Sequence, residues 1–584
     1  MSEILEEENA LEKKTLRKPW TLAAIIFLAA AAALPYSNAL NTPFLFDDAG
    51  NIVENPSIRS LWPLWKAFWA PKDFPVGGRP LTNFTYALNF ALGGENPWGF
   101  HLSNIAIHVL CALVFFGFCR RTLCTSLLRD RYGGASTALA FCMALLWAMH
   151  PLQTESVTYI SQRAECLMGL FFLLTFYCAL AGWQSRDPHT WHAWAALCFI
   201  LGAGAKESIA AAPACILLYD MLFMGRTPAK ALKQSPILYA GMAAGLAFLA
   251  AMALAGRAGT GGPPTEPFTF YEYLYHQPEV LARYLFLTLW PGPLCLDYLW
   301  IPLHPARALP YVLLFSMLVA ASALALLRKK PAGFLGAWFF LILAPASSII
   351  PLPDMAFEHR MYLPLAAPVA LVVLGTYSAI QRLPGALAKR RMLVAGMAAV
   401  LLIALAFGVR THLRNNDYAS DLALWENTVK NAPRNARARF NLARALEIAG
   451  RTQEANQRLR ETIRLNPEFA AAHYNLGSNL LRAGMPEEGV RHLWLAVTLE
   501  PRYTKARLNL GTALHYLGKD QEAIRQFHAA LRVDPYFADA YANLAMVLAL
   551  TGKIDEARDA LRRALYINPQ HPMALKCRQT LEGY

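Results

Sequence analysis

The chain has 584 residues, with 54 Lys+Arg against 40 Asp+Glu for a formal net charge of +14; 55% of residues are hydrophobic and only 16% charged. An ordinary soluble domain is about a quarter charged, so this composition excludes a disordered chain and argues against a wholly soluble enzyme. The positive charge is spread along the chain without interleaved aromatics, which gives no footprint for nucleic acid.

Uncharged apolar runs recur from Trp20 to about residue 408 and then stop. Residues 1–19 form a polar segment, with Lys13, Lys14, Arg17 and Lys18 just before the first run. Basic residues favour the cytoplasmic side, so this segment is placed inside and the first outer loop, 40–99, outside. Runs near 20–37, 100–119, 135–150, 164–183, 191–204, 208–224, 237–255, 310–327, 332–350, 362–380 and 392–409 predict about eleven transmembrane helices. The run 279–300 is broken by Pro291 and Pro293 and carries Arg283 and Asp297. Read as interfacial or re-entrant, it keeps the later clusters around Arg328 and Arg390 inside, as Arg120, Arg131 and Arg226 are. The membrane domain then covers 20–410, and the segment after it lies outside the cytoplasm. Most of the ten cysteines fall in apolar runs and none forms a CxxC pair, so they read as packed thiols.

Beyond the last run, 411–433 is a linker with a partial repeat holding Trp425. Pro433, Pro467, Pro501, Pro535 and Pro569 follow at a constant 34-residue interval, and Gly450, Gly484, Gly518 and Gly552 keep the same spacing. This is the tetratricopeptide period: four repeats over 434–569, then a capping helix over 570–584. One helix pair cannot bury its apolar face alone, so neighbours stack into an α-solenoid. Asn441, Asn475, Asn509 and Asn543 recur at one repeat position and are candidates for binding an acceptor peptide, because an amide both donates to and accepts from a peptide backbone. They equally suit a plain solvent-facing position.

The outer loops concentrate polar residues. They hold Asp47 and Asp48 in FLFDDAGNIVEN, Arg79, and His101 and His108 on one face of the second span. Further along come His150, Glu155 and Arg163, then Lys206, then Glu358, His359 and Arg360. Ionisable groups at membrane depth cost about 2.5–3.5 kcal/mol on insertion scales, so a set on one side marks a site. An outer-surface carboxylate suits a general base for an acceptor hydroxyl, and Arg or Lys suits a lipid-linked phosphate. Arg163 with Glu165, and Lys206 with Glu207, suit ion pairs tying the loops together just as well. His101 and His108 offer a divalent metal no recognised ligand spacing, so the metal is unassigned and a divalent ion stays only a candidate cofactor.

Asp47-Asp48, Arg79-Pro80-Leu81, His101 to His108 (HLSNIAIH), His150 to Val157 (HPLQTESV), Glu358 to Tyr362 (EHRMY) and the trailing repeats together resemble the transmembrane and tetratricopeptide-repeat O-mannosyltransferases, integral-membrane glycosyltransferases of the GT-C class. The asparagine positions are similar to the asparagine ladder in the repeats of O-linked N-acetylglucosamine transferase. The resemblance implies an all-α fold, a GT-C-like membrane domain of about eleven helices followed by the solenoid. It implies a sugar donor carried on a polyprenyl phosphate and a protein acceptor. Asp47 or Asp48 would be the general base or position the acceptor. Arg360, Arg163 and Lys206 would face the donor phosphate, with Arg79, His101, His108, His150, Glu155, Glu358 and His359 supporting the site. The Arg- and Ala-rich composition points to a bacterial inner membrane, with site and repeats toward the periplasm. Two other readings stay open: a transferase acting on a lipid or envelope glycan, and a non-catalytic scaffold assembling an envelope complex through its repeats.

Overall fold

The computed structural model describes residues 19–71, 74–255, 270–298, 305–347 and 354–581. The expected polar segment before residue 19 lies outside the described residues. Among the described residues the regular structure is helical throughout, without strands. The chain divides into two compact units, Met1–Leu424 and Trp425–Tyr584.

In the first unit a helix stands at each of the eleven expected positions, but not all are spans. Among the described residues seven are long and apolar enough to cross a bilayer: Trp20–Ala39, Pro97–Leu123, Arg129–Met149, Ile160–Trp183, Pro236–Leu254, Arg307–Leu327 and Ala386–Tyr418. A pair bent by 103°, Glu207–Phe223 with Pro228–Gln234, makes eight if taken as one span. The expectation of eleven full spans is therefore corrected. Pro188–Ala203, Pro331–Leu343 and Ala366–Gln381 run for only 16, 13 and 16 residues. At 1.5 Å per residue these reach about 20–24 Å, short of a hydrocarbon core of about 30 Å. The segment at 279–300 contributes the helix Phe270–Leu289, which carries Pro278 inside it and is not among the apolar spans.

Local signals explain the element ends. Asn96 caps the helix Pro97–Leu123 by accepting from the Trp98 N–H, with Pro97 at its first position. His101, Asn104, His108 and Cys111 then fall on one buried face, as their spacing requires. Deeper in, Phe172, Phe176, Tyr219 and Trp338 pack ring against ring, with the Phe172 and Trp338 centroids 5.2 Å apart. The first loop builds a small core in which Ile52, Ile58 and Tyr86 bury together with Phe100 of the helix Pro97–Leu123 and with Ile160. It is thus a folded platform.

The second unit stacks four helix pairs, from Ala436–Ile448 with Thr452–Leu465 to Ala538–Leu550 with Ile554–Ile567, closed by Pro572–Leu581. Each first helix ends identically. Gly450 takes φ 77°, its N–H bonds Glu447 O at 2.9 Å, and the Arg451 N–H bonds Leu446 O at 2.8 Å. This left-handed cap satisfies the last carbonyls, and Gly484, Gly518 and Gly552 repeat it. Ala455, Ala523 and Ala557 are fully buried where paired helices cross.

Candidate functional site

The site is built by outer loops that meet through buried polar contacts. Asp48 is 1% exposed. Its Oδ2 accepts the Leu45 N–H at 3.0 Å, and its Oδ1 accepts the Ser161 N–H at 2.7 Å and the Ser161 hydroxyl. Burial is the main cause that raises its carboxyl to about 7, against the lowering effect of those hydrogen bonds. Asp47 is half-buried, and its backbone N–H donates to the Tyr159 hydroxyl at 3.0 Å. Asp48 thus ties the first loop to the third, and its neighbour Asp47 stands at the edge of that joint.

Glu155 ties the third loop to the last. Its Oε1 is 2.7 Å from His359 Nδ1, and its Oε2 accepts the His359 N–H at 3.0 Å. Beside it, Glu358 Oε1 accepts from the Cys295 N–H at 2.7 Å and the Tyr298 hydroxyl at 2.8 Å, and pairs with Arg414 at 3.5 Å. Arg414, 1% exposed, also bonds Asp417 at 2.7 Å. Burial raises both Glu155 and Glu358, while the Arg414 charge opposes this. Burial likewise pushes His359 well down, so its ring is neutral.

The cations separate into distinct environments. Lys206 pairs with Glu165 at 2.6 Å and Arg79 with Glu207 at 3.3 Å, so both acid-base pairs join loops to the membrane helices. Arg360 is half-buried, donates to Met355 O at 2.9 Å and Asp354 O at 2.8 Å, and lies over the Phe357 ring. Arg163 corrects an expectation. It is 0% exposed, and its guanidinium donates to Asn104 Oδ1, Asn89 Oδ1 and Phe100 O at 2.7, 2.6 and 2.8 Å. A phosphate could reach it only by breaking that buried set, so its place is in holding the platform together.

The histidines are also engaged inside the fold. His101 Nε2 is 3.0 Å from Thr42 O, and His108 contacts the Tyr362 hydroxyl at 2.9 Å and Ala148 O at 3.0 Å. His150 meets Thr288 O at 3.0 Å and accepts from the Leu152 N–H. Among the described residues no three His, Cys, Asp or Glu side chains are grouped to hold a metal. Arg414, Tyr298, Tyr159 and Ser161 were not among the expected site residues. For Arg414 a signal existed: Arg410, His412 and Arg414 follow closely on a long apolar run, in the last turns of one helix.

In the repeats, the four asparagines occupy the sixth position of their helices. Asn441 is buried and the others are half-buried. Asn509 donates to Ser478 Oγ at 2.9 Å, and Asn543 to Asp539 O at 2.8 Å, so two of these amides already donate to acceptors within the array.

Known proteins resemble the chain in both its apolar part and its repeats. A tetratricopeptide-repeat family model matches residues 409–457, 449–490 and 499–572. Over 545 residues the chain is 26% identical to the protein O-mannosyl-transferase Tmtc3 of Drosophila melanogaster, covering 79% of this chain and 57% of that protein. It is 28% identical over 490 residues to the human protein O-mannosyl-transferase TMTC4, covering 73% of this chain and 64% of the relative. Its curated homologues are protein O-mannosyl-transferases. The similarity to these O-mannosyl-transferases runs across most of the chain, membrane unit and repeats together. The human protein O-mannosyl-transferase TMTC1 is 39% identical over a shorter stretch of 162 residues, 26% of this chain and 17% of that protein. The chain spans less than two thirds of the length of each of these O-mannosyl-transferases. Among solved structures, MamA is 23% identical, covering 27% of this chain and 91% of its own, with a TM-score of 0.25.

Proposed function

We propose that this multi-pass membrane protein is a glycosyltransferase that moves a sugar, mannose or a close relative, from a polyprenyl-phosphate donor to Ser or Thr hydroxyls of a protein presented by the repeats. The observation that carries this reading is the joint between the first and third loops. There Asp48 is anchored on three donors while the adjacent Asp47 sits half-buried at the edge. The relatives' names support the sugar and the protein acceptor.

In this reading Asp47 is the general base and Asp48 its positioning residue. Asp47 takes the proton of the acceptor hydroxyl as that oxygen attacks the anomeric carbon. The bond from that carbon to the phosphate oxygen breaks, and the lipid phosphate leaves with the electron pair. Arg360 and Lys206 hold its charge. Glu155, His359, Glu358 and Arg414 fix the last loop against the third, so that Arg360 keeps its place. The outer loops face away from the cytoplasm, toward the periplasm in a bacterial inner membrane, a sidedness supported by the basic clusters at the opposite ends of the spans.

The test uses membranes containing the full chain, labelled polyprenyl-phosphate sugars and envelope proteins. Label entering a protein band, and lost in Asp47→Asn at equal expression, is the expected result. Label entering only lipid extracts would move the acceptor to a glycan. No labelling with any sugar would leave the scaffold as the better reading.

A further inference from the structure

The membrane unit also carries a cavity that this chemistry does not use. It has a volume of about 740 Å³ and lies among the helices Pro97–Leu123, Arg129–Met149, Pro331–Leu343 and Ala366–Gln381. Its walls are apolar and aromatic, including Phe115, Met143 and Trp338. Its lining also includes Arg131, Lys329, Lys330 and Arg382, all exposed. Among the described residues none of these four is in an ion pair, so four positive charges rim an apolar chamber without a protein counter-ion.

One helix fixes where this lies. His101 of Pro97–Leu123 belongs to the outer-loop platform, and Thr122 of the same helix lines the cavity. Twenty-one residues of α-helix separate them, a distance of about 31 Å. The cavity mouth is therefore at the face of the membrane unit opposite Asp48. The turn that supplies two of the charges is also unusual. Lys329 adopts φ 53°, a left-handed conformation costly for a side chain with a Cβ, and the Lys329 and Lys330 N–H groups close back on Leu326 O and Ala325 O.

We propose that this cavity is a binding site for an anionic phospholipid of the bilayer leaflet at the basic face, its phosphate at the Lys329, Lys330 and Arg382 rim and an acyl chain between Phe115 and Trp338. Charge complementarity selects the headgroup, because basic pockets between membrane helices on the cytoplasmic side suit anionic lipid heads. The apolar chamber selects the chain, because a free phosphate would gain nothing from it. This differs from the donor lipid in both face and residues.

Native mass spectrometry of the full chain tests it, with phosphatidylglycerol and phosphatidylcholine of matched acyl chains and glycerol phosphate as a chain-free headgroup. Wild type should retain phosphatidylglycerol over phosphatidylcholine. The variant K329Q/K330Q/R382Q should lose at least about tenfold in phosphatidylglycerol affinity, with phosphatidylcholine unchanged. Should that variant fail to elute as a single species, R382Q alone should still weaken retention. Ala370→Phe, which fills the apolar part, should weaken retention of both lipids. Equal retention of the two lipids by wild type, or wild-type retention by the charge variants, would overturn the proposal. Displacement by glycerol phosphate at the lipid's own concentration would overturn it as well, in favour of a simple anion site.

Discussion

Glu155 receives two hydrogen bonds from a single residue 204 positions away, one from the ring and one from the backbone of His359. Both carboxylate oxygens are thereby matched to donors, and the pair lies within a fold that excludes water from it. Removing the carboxylate orphans two buried N–H groups, each costing about 1–3 kcal/mol. Glu155→Ala is therefore expected to lower the melting temperature of the detergent-solubilised chain markedly. Glu155→Gln, which retains one acceptor, should lower it less. Equal melting of both variants and wild type would count against the contact.

Asp47 and Asp48 should respond differently although they are adjacent. Asp47→Asn is expected to reduce sugar transfer about 10²-fold or more while the protein keeps its stability. Asp48→Asn should reduce both, because Leu45 loses its acceptor. Comparing label incorporation with melting temperature for the two variants separates base from anchor.

The pH dependence of stability follows from Asp48. Its carboxyl is raised in the folded chain from 3.8 to about 7, so the folded state binds the proton more tightly than the unfolded one. The stabilisation is fully present below pH about 4 and is lost as pH rises through about 7. A rise of this size corresponds to about 4 kcal/mol. Unfolding of wild type against denaturant should show this decline between pH 4 and 7, and Asp48→Asn should make it shallower, the raised carboxyls of Glu155 and Glu358 keeping the remainder.

Arg414 is a buried cation flanked by Glu358 and Asp417. Arg414→Met leaves Glu358 without its counter-charge and is expected to cost about 3–5 kcal/mol. The double variant Arg414→Met with Glu358→Gln removes both charges and should recover part of that loss. A double-mutant cycle showing strict additivity would argue against the pair.

Sidedness can be read from a native thiol. Cys124 is the exposed cysteine, the other nine being buried, and it follows the basic pair Arg120–Arg121. A membrane-impermeant maleimide should label intact cells poorly and inside-out vesicles strongly, with the signal lost in Cys124→Ser.

The parts of this fold legible in the sequence are those governed by local period. A 34-residue repeat sets the helix pairs and their glycine caps, because each repeat meets the same packing problem. Apolar runs locate the membrane helices, but their lengths were not legible: Pro331–Leu343 stops after 13 residues although the uncharged run continues. Around the candidate site, the concentration of polar residues marked loops that the structure joins through Asp48 with Ser161 and Glu155 with His359. Arg163 shows the limit. A cation heading an apolar helix reads as facing a ligand, yet its acceptors come from Asn89, Asn104 and Phe100, far away in sequence and electrically neutral. Arg414 shows the converse, a residue in the last turn of the final apolar helix whose partner Glu358 is 56 positions earlier.

The short helices carry a further meaning for substrate access. A helix of 13 to 16 residues cannot reach both polar boundaries of a core of about 30 Å, so a loop at one of its ends starts beneath the level of the surrounding headgroups. Ala366–Gln381 follows the Glu358–Tyr362 loop directly. On the proposed reading, the donor's phosphate would then approach this loop by sliding sideways within its own leaflet. It would not have to rise into water first, and only the polypeptide would need to descend.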